Sequence, residues 1–227
     1  MLQKNIPPIF IISLKNSPRR EAIAQRFTAL NISFQFFDAV YGKTLGKEEL
    51  SQVDYEFYPK KYLAKKPLTI GEIGCAMSHI KVYQYMVEQH IEQAIIFEDD
   101  IIIHHDFTKI ISDVLKRVPS RREIVFLDHG KAKSWLFKRK LFENYKLVRY
   151  RSPSKTSKRC IIMANAYLLT LNGARKLLDN AYPIRIPADY LTGLLQLNRL
   201  NAYGVEPPCI FRGTSESEIN KLEDRYN

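Results

Sequence analysis

An α/β fold with a mainly parallel central sheet flanked by helices is what this sequence predicts, and three observations carry that prediction. Short, charge-free, β-branched runs recur at Ile9 to Leu14, Ala94 to Phe97 and Ile124 to Leu127. Longer segments between them repeat their apolar residues at helical spacing. Strands that alternate with helices in this way favour a mainly parallel sheet. The third observation is size: 227 residues, 45% of them hydrophobic, suit one domain at roughly 100–200 residues per domain. The domain is expected over residues 1–213, with a basic insert at 131–159 and a polar tail at 214–227.

The elements follow in order. Ile9 to Leu14 reads as a buried strand. Ser17-Pro18 then opens a helix, Ser as N-cap and Pro at the first helical position. Ala22, Ile23, Phe27 and Leu30 form its apolar stripe. Ile32 to Phe36 alternates with period 2 and reads as a second strand. Thr69-Ile70-Gly71-Glu72 is a capping box, in which Thr and Glu satisfy each other's unpaired amides. The helix it starts carries Ile73, Ala76, Met77, Ile80, Tyr83 and Val87 on one face. Gly71 and Gly74 near its start permit close backbone approach or close packing. Ala94 to Phe97 is a strand running into Glu98-Asp99-Asp100. Asp106 caps a helix that Pro119 stops, and Ile124 to Leu127 is a strand ending at Asp128. Cys160 to Met163 is strand-like, and Leu171 to Leu178 is helical. Pro187-Ala188-Asp189 precedes a helix to about Leu197, and Ala202 to Val205 is a last short strand.

The charge is local. The chain carries +11, yet eleven basic residues and one acid lie between Lys131 and Arg159, leaving about +1 for the rest. This excludes a uniformly basic, chromatin-like protein and places an anionic partner near one part of the surface. Trp135, Leu136 and Phe137 beside Lys138-Arg139-Lys140 resemble an interfacial anchor more than a nucleic-acid reader, and no nucleic-acid-binding signature occurs. The apolar residues of this stretch alternate with charge without a clean period. No apolar run approaches the ~20 residues of a membrane helix. Met1 to Phe10 lacks the apolar core and small-residue cleavage site of a signal peptide. Cys75, Cys160 and Cys209 are widely spaced and odd in number, which fits a reducing compartment and disfavours thiolate zinc.

Ligands of parallel sheets lie beyond the carboxyl ends of the strands. Ser13-Leu14, Glu98-Asp99-Asp100 and Asp128 all stand there. Three adjacent carboxylates are costly unless a cation or hydrogen bonds offset them. If the strand continues, Glu98 and Asp100 point the same way and can share a hard divalent ion, Mg²⁺ or Mn²⁺. The plainer alternative is a solvated strand–loop junction.

Five segments resemble glycosyltransferase family 25, the lipopolysaccharide and lipooligosaccharide biosynthesis glycosyltransferases. They are residues 9–20 (IFIISLKNSPRR), 71–79 (GEIGCAMSH), 95–100 (IIFEDD), 166–169 (AYLL) with 173–178 (GARKLL), and 186–189 (IPAD), in the family's order. The chain departs from the family's pattern at Ser13, Pro18 and Ala188. The resemblance implies a GT-A-like (Rossmann-like) fold, a nucleotide-sugar donor (most commonly UDP-galactose), a divalent metal (Mn²⁺ or Mg²⁺) and inversion to a β-linkage. The implied acceptor is an anionic lipooligosaccharide or lipopolysaccharide glycan. The expected location is the cytoplasmic face of the inner membrane, with residues 131–159 holding the protein there peripherally; lining of the acceptor site and a merely solvated loop are the alternative readings of that stretch. Glu98 and Asp100 are the expected metal ligands, and Asp99 is expected to reach the ribose or sugar. Asp189 is the expected general base, with a helix N-cap as its compatible structural role; Asp128 is the second candidate. Ser13, Leu14 and Arg20 are expected to border the nucleotide, Arg20 being equally readable as a solvated helix charge. His79 is either a donor contact or a packed, hydrogen-bonded helix residue. His104-His105 lacks helical metal-site spacing and reads as surface. A nucleic-acid module built on the basic stretch and a metal-dependent phosphoesterase built on the carboxylates are the competing classes, and other hexosyl donors are the competing substrates.

Overall fold

The computed structural model describes residues 6–62 and 64–213, so the polar tail expected at 214–227 lies outside the described residues. The chain opens with β1 (Ile9–Ser13), α1 (Arg19–Ala29) and β2 (Gln35–Asp38). Two short helices follow, α2 (Lys47–Ser51) and α3 (Phe57–Tyr62), then the long α4 (Ile70–Glu88). Next come β3 (Gln93–Glu98), β4 (Ile101–Ile103), α5 (Phe107–Arg117) and β5 (Ile124–Phe126). The basic stretch forms β6 (Ser134–Lys140) and β7 (Lys146–Tyr150). The chain then continues through β8 (Ala166–Thr170), α6 (Leu171–Leu178), α7 (Ala188–Gly193), α8 (Leu195–Asn198), β9 (Ala202–Glu206) and β10 (Ile210–Arg212).

Eight strands form one sheet in the order β2-β1-β3-β8-β5-β9-β7-β6. Six of them run in one direction, while β7 and β8 oppose their neighbours. The architecture is the expected mainly parallel α/β sheet of GT-A-like type. Alternation along each central strand sorts the core into two layers. Phe10, Ile12, Ala94, Ile96, Tyr167 and Leu169 pack with α4, α6 and α7. Ile9, Ile11, Ile95, Phe97, Ala166 and Leu168 pack with α1 and α5. Burial on both faces is why these strands read as continuous apolar runs. Among the described residues, no helix is long and apolar enough to cross a membrane.

Several elements differ from the sequence reading, each for a local reason. Ile32 belongs to the end of α1: its amide donates to the Phe27 carbonyl after Asn31 turns left-handed at φ 55, so the strand begins only at Gln35. Cys160 to Met163 is not a ladder strand; it makes one bridge, Gly130 to Ile162, before Met163 turns to φ 83. Asp106 stands at the start of α5, but its carboxylate takes Lys109 and His105 instead of capping an amide. Asp189 is not an N-cap; Pro187 holds that position, Asp189 lies in the first turn, and the helix breaks at Leu194. β6 and β7 form an antiparallel hairpin with a register irregularity between Ser134 and Lys138. That irregularity breaks the period-2 signal. The unforeseen pair β4–β10 is antiparallel and only three residues long.

The capping box on α4 forms as expected, with the Glu72 amide donating to Thr69 Oγ1 and the Thr69 amide to Glu72. Gly74 is the point where α4 meets the 39–42 segment. A Cβ there would stand 2.8 Å from both Gly42 N and Val40 O, backbone atoms that cannot swing aside. In an open helix, Ala is favoured over Gly by ~1 kcal/mol. Here the clash reverses the sign: Gly74→Ala is expected to lower stability by about 1–3 kcal/mol. A lower urea midpoint at unchanged slope is the expected reading; an equal or higher midpoint contradicts this packing.

Candidate functional site

The site lies at the carboxyl ends of β1 and β3. A cavity of about 120 Å³ there is lined by Ser13, Leu14, Ser17 and Arg19 on one side and Gly71, Cys75, Ser78 and His79 on another. Glu98, Asp99 and Asp100 close it, and Tyr41 stands at its lip. The three acids do not continue the strand. β3 ends at Glu98, and Asp99-Asp100 form a turn into β4. The extended geometry expected for the triplet is therefore absent, and each carboxylate has its own surroundings.

Glu98 faces the α4 layer, as its strand parity with Ala94 and Ile96 requires. Its Oε1 lies 3.2 Å from His79 Nε2, and Cys75 Sγ donates to it at 3.8 Å. A carboxylate only accepts, so Nε2 carries the proton. His79 Nδ1 lies 2.7 Å from the Tyr167 hydroxyl, which lies 2.7 Å from that of Tyr83. His79 is fully buried, with both ring nitrogens engaged, so it stands behind Glu98. Burial alone pushes the Glu98 carboxyl up, but His79, then Arg212 and Cys75, outweigh this and hold it below its ordinary value.

Asp99 is consumed by the first β–α turn. Ser13 Oγ donates to it at 2.6 Å, Ser17 Oγ at 3.1 Å and Arg19 Nη1 at 3.1 Å. Ser17 Oγ also accepts the Arg19 amide, although Pro18 and not Ser17 holds the N-cap position and the helix starts at Arg19. Arg20 is turned away from the cavity. It donates to the Ser13 carbonyl, pairs with Asp38 and lies over the Phe36 ring, joining β1 to β2.

Asp100 is buried, and its Oδ1 has no hydrogen-bond partner among the described residues. Its Oδ2 lies 3.5 Å from Arg212 Nε. Burial, then the charge of Glu98, pushes the Asp100 carboxyl up to about 6 against the pull of Arg212 and Arg19. Asp189 enters from α7. Burial pushes it up to about 6, the amides of Tyr190 and Met163 hold it down, and the charge of Glu98 raises it further. Asp128, one strand group away, accepts from Asn165 Nδ2 at 2.7 Å and is likewise raised by burial. The structure thus gathers Ser13, Leu14, His79, Glu98, Asp99 and Asp100 at one cavity and puts Asp189 within electrostatic reach of Glu98.

Arg212 was not found from sequence. Its only signal was the apolar pair Ile210-Phe211, which could have been matched to Ile101-Ile102-Ile103. Cys75, His79 and Glu98 each offer one ligand atom within 4.8 Å of the others. Burial holds the Cys75 thiol well above its ordinary pKa, which opposes a thiolate site. A hard divalent cation fits the oxygen donors better, because Asp100 Oδ1 is buried and unpartnered while Glu98 is kept ionised beside it.

Known proteins resemble this chain. The family model described as glycosyltransferase family 25 (LPS biosynthesis protein) matches residues 6–192. Procollagen galactosyltransferase 1-A of Xenopus laevis is 30% identical over 197 residues, covering 80% of this chain and 30% of that protein. A glycosyltransferase 25 family member of Drosophila melanogaster is 38% identical over 96 residues, 41% of this chain and 16% of that protein. Procollagen galactosyltransferase 2 of Homo sapiens is 24% identical over 196 residues, 80% of this chain and 29% of that protein. The chain spans less than a third of the length of each of these relatives.

The raised carboxyl of Asp100 has a consequence for stability. A folded-state pKa above the unfolded value means the folded state binds the proton more tightly. Stability is then greatest at low pH and is lost as pH rises through about 6. Asp100→Asn, which stays neutral, is expected to be more stable than wild type by about 2–3 kcal/mol at pH 7.5 with chelator present. The gain should vanish near pH 4. Calorimetric melting at the two pH values checks this; equal melting temperatures at pH 7.5 contradict it.

Proposed function

Because the chain belongs to glycosyltransferase family 25, we propose that it transfers a hexose from a nucleotide-sugar donor to a glycan hydroxyl, with inversion. The observation that carries the reading is convergence. The segments 9–20, 71–79 and 95–100 are far apart in sequence, yet their polar residues line one cavity, and Asp189 of the segment 186–189 lies within electrostatic reach of Glu98. The donor is UDP-galactose, in keeping with relatives named as galactosyltransferases. The acceptor is an anionic lipooligosaccharide or lipopolysaccharide glycan, in keeping with the family's description. The protein works at the cytoplasmic face of the inner membrane, held peripherally by the basic stretch 131–159.

Each residue has a role in this reading. Leu14 and the first β–α turn, braced by Ser13 and Asp99, border the nucleotide; Tyr41, 37% exposed at the lip, offers its ring to the base. Glu98 and Asp100 hold a divalent cation, Mn²⁺ or Mg²⁺, which when bound neutralises the donor diphosphate. His79, fixed by Tyr167 and Tyr83, aims Glu98 and keeps it ionised. Asp189 accepts the proton of the acceptor hydroxyl as that oxygen attacks the anomeric carbon and the nucleotide departs. A carboxyl near 6 suits a general base, because it is ionised at neutral pH yet more basic than an ordinary aspartate. Asp128, neighbour to Asn165, is the second candidate base. Arg20 supports the turn from behind through Ser13 and Asp38.

Release of UDP from UDP-hexoses with Mn²⁺ tests the reading. No release with any donor, together with no donor binding by calorimetry, overturns it. Asp189→Asn is expected to lower transfer by about 10²–10⁴-fold while leaving donor affinity unchanged. Asp100→Ala is expected to weaken donor binding and abolish its dependence on metal. Equal donor affinity for Asp100→Ala and wild type rejects the metal assignment. The rate is expected to rise with pH through about 6 and then level, because only ionised Asp189 accepts a proton. A rate that falls over this range rejects Asp189 as the base.

A further inference from the structure

The most exposed large apolar side chains lie far from the cavity. Leu136 is 94% exposed and Phe137 93%, adjacent on β6, the outermost strand of the sheet. Trp135 beside them is half exposed, with the Arg151 guanidinium 4.9 Å from its ring centroid. Adjacent residues of a regular strand point to opposite faces. Here the register irregularity lies within Ser134–Lys138, and both side chains stand clear of the protein. Next to them is a groove of about 360 Å³ that three guanidinium groups share: Arg121, Arg139 and Arg149. Trp135, Phe137 and Tyr203 contribute aromatic rings to its wall. Arg139 is anchored by donating to the Arg117 carbonyl, and Arg121 by donating to the Tyr203 hydroxyl. Two of the three cations are thus positioned around one groove by bonds to neighbouring elements.

We infer that this hairpin and its groove form an anionic-lipid docking site: Leu136 and Phe137 enter the bilayer interface, and Arg121, Arg139 and Arg149 hold lipid phosphates. This rests on the peripheral association proposed above, and it assigns that association to named side chains. Charge complementarity favours a bilayer, since the insert carries eleven basic residues against one acid. A second copy paired along β6 is disfavoured, because edge strands rich in Lys and Arg resist pairing and Lys138, Arg139 and Lys140 would meet their own kind. Single-stranded nucleic acid is disfavoured because its platforms are stacked aromatic faces. Leu136 has no such face and that of Trp135 is covered by Arg151, which leaves Phe137 as the one exposed ring of the Trp135–Phe137 run, too few for a stacked platform. The hairpin also lies outside the transfer site. β6 is five strand steps from β3, roughly 24 Å at ~4.8 Å per step.

The chain's single tryptophan, Trp135, sits in the hairpin and reports directly on it. The full chain is titrated with vesicles of phosphatidylcholine alone and of phosphatidylcholine with about one-third phosphatidylglycerol, following both sedimentation and Trp135 emission. Binding to the anionic vesicles alone is expected, with a blue shift of emission, and it should weaken as salt is raised. The double variants Leu136→Asp/Phe137→Ser and Arg121→Gln/Arg149→Gln are each expected to lose on the order of 10-fold or more in vesicle affinity. Their melting temperature and UDP release should stay at wild-type values. Absence of binding to anionic vesicles, equal binding by the variants, or binding without a shift in Trp135 emission each overturns the assignment. So does a dimer in size-exclusion chromatography that Leu136→Asp/Phe137→Ser dissolves, or single-stranded RNA binding tighter than vesicle binding. Loss of vesicle binding with intact UDP release leaves the transferase reading standing, and the reverse leaves the docking site standing.

Discussion

Three consecutive carboxylates at the end of a buried strand cannot share one environment. Two like charges 4 Å apart repel by about 4 kcal/mol even at an effective dielectric constant of 20. The chain separates them by ending β3 at Glu98 and turning at Asp99-Asp100, so that each meets a different element. Glu98 is met by His79 and Cys75 from α4, Asp99 by the β1–α1 turn, and Asp100 by Arg212 from β10. Three otherwise unrelated parts of the chain are thereby fastened to the same residues. The hydrogen-bonded line from Tyr83 through Tyr167 and His79 to Glu98 carries this constraint into the core, because both tyrosines are fully buried between sheet and α4.

How legible this was from sequence depended on the range of the interaction. The central strands could be read because burial on both faces leaves an uninterrupted apolar run, as at Ile95-Ile96-Phe97. The start of α4 could be read because Thr69 and Glu72 bond across three residues. Local patterns failed where the decisive partner was distant or the register irregular. β4 and β10 are three residues each and pair across more than a hundred positions, so neither carries a period, and Arg212 stayed hidden with them. Strand parity would have pointed Glu98 and Asp100 the same way, but the turn that follows Glu98 cancels that rule for Asp100. Of the two readings of His79, the packed, hydrogen-bonded helix residue is the one its position matches: it is fully buried between Tyr167 and Glu98.

The basic stretch is likewise divided by the fold. Lys131 begins it within electrostatic reach of Cys160, whose thiol is pushed up by burial and by the charge of Asp189 against the pull of Lys131, and Cys160 in turn donates to the Asp189 carbonyl, so this end remains beside Asp189. The hairpin that follows crosses to the far edge, beyond β9. One continuous run of charge in sequence thus becomes a short arm near Cys160 and Asp189 and a separate surface at the rim. Charge counted along the chain could not distinguish these, because only pairing with β9 sets how far β7 and β6 lie from β3.

Two carboxylates near Glu98 are held at a cost by the fold. Asp99 has every oxygen engaged and behaves as a structural bolt. Asp100 and Asp189 are both held near 6 by burial and by the charge of Glu98, and Asp100 Oδ1 has no partner among the described residues. A fold selected only for stability would replace such groups with neutral ones, since burying a carboxylate is costly even when it is partly paired, as Asp100 is by Arg212 and Asp189 by the amides of Tyr190 and Met163. Their retention beside a carboxylate that His79 keeps ionised is a cost to the isolated protein that a cation and a hydroxylic substrate would relieve. The site is therefore the part of the molecule where stability and chemistry make opposite demands. The surrounding bolts, Asp99 in its turn and His79 behind Glu98, keep that tension confined to two side chains.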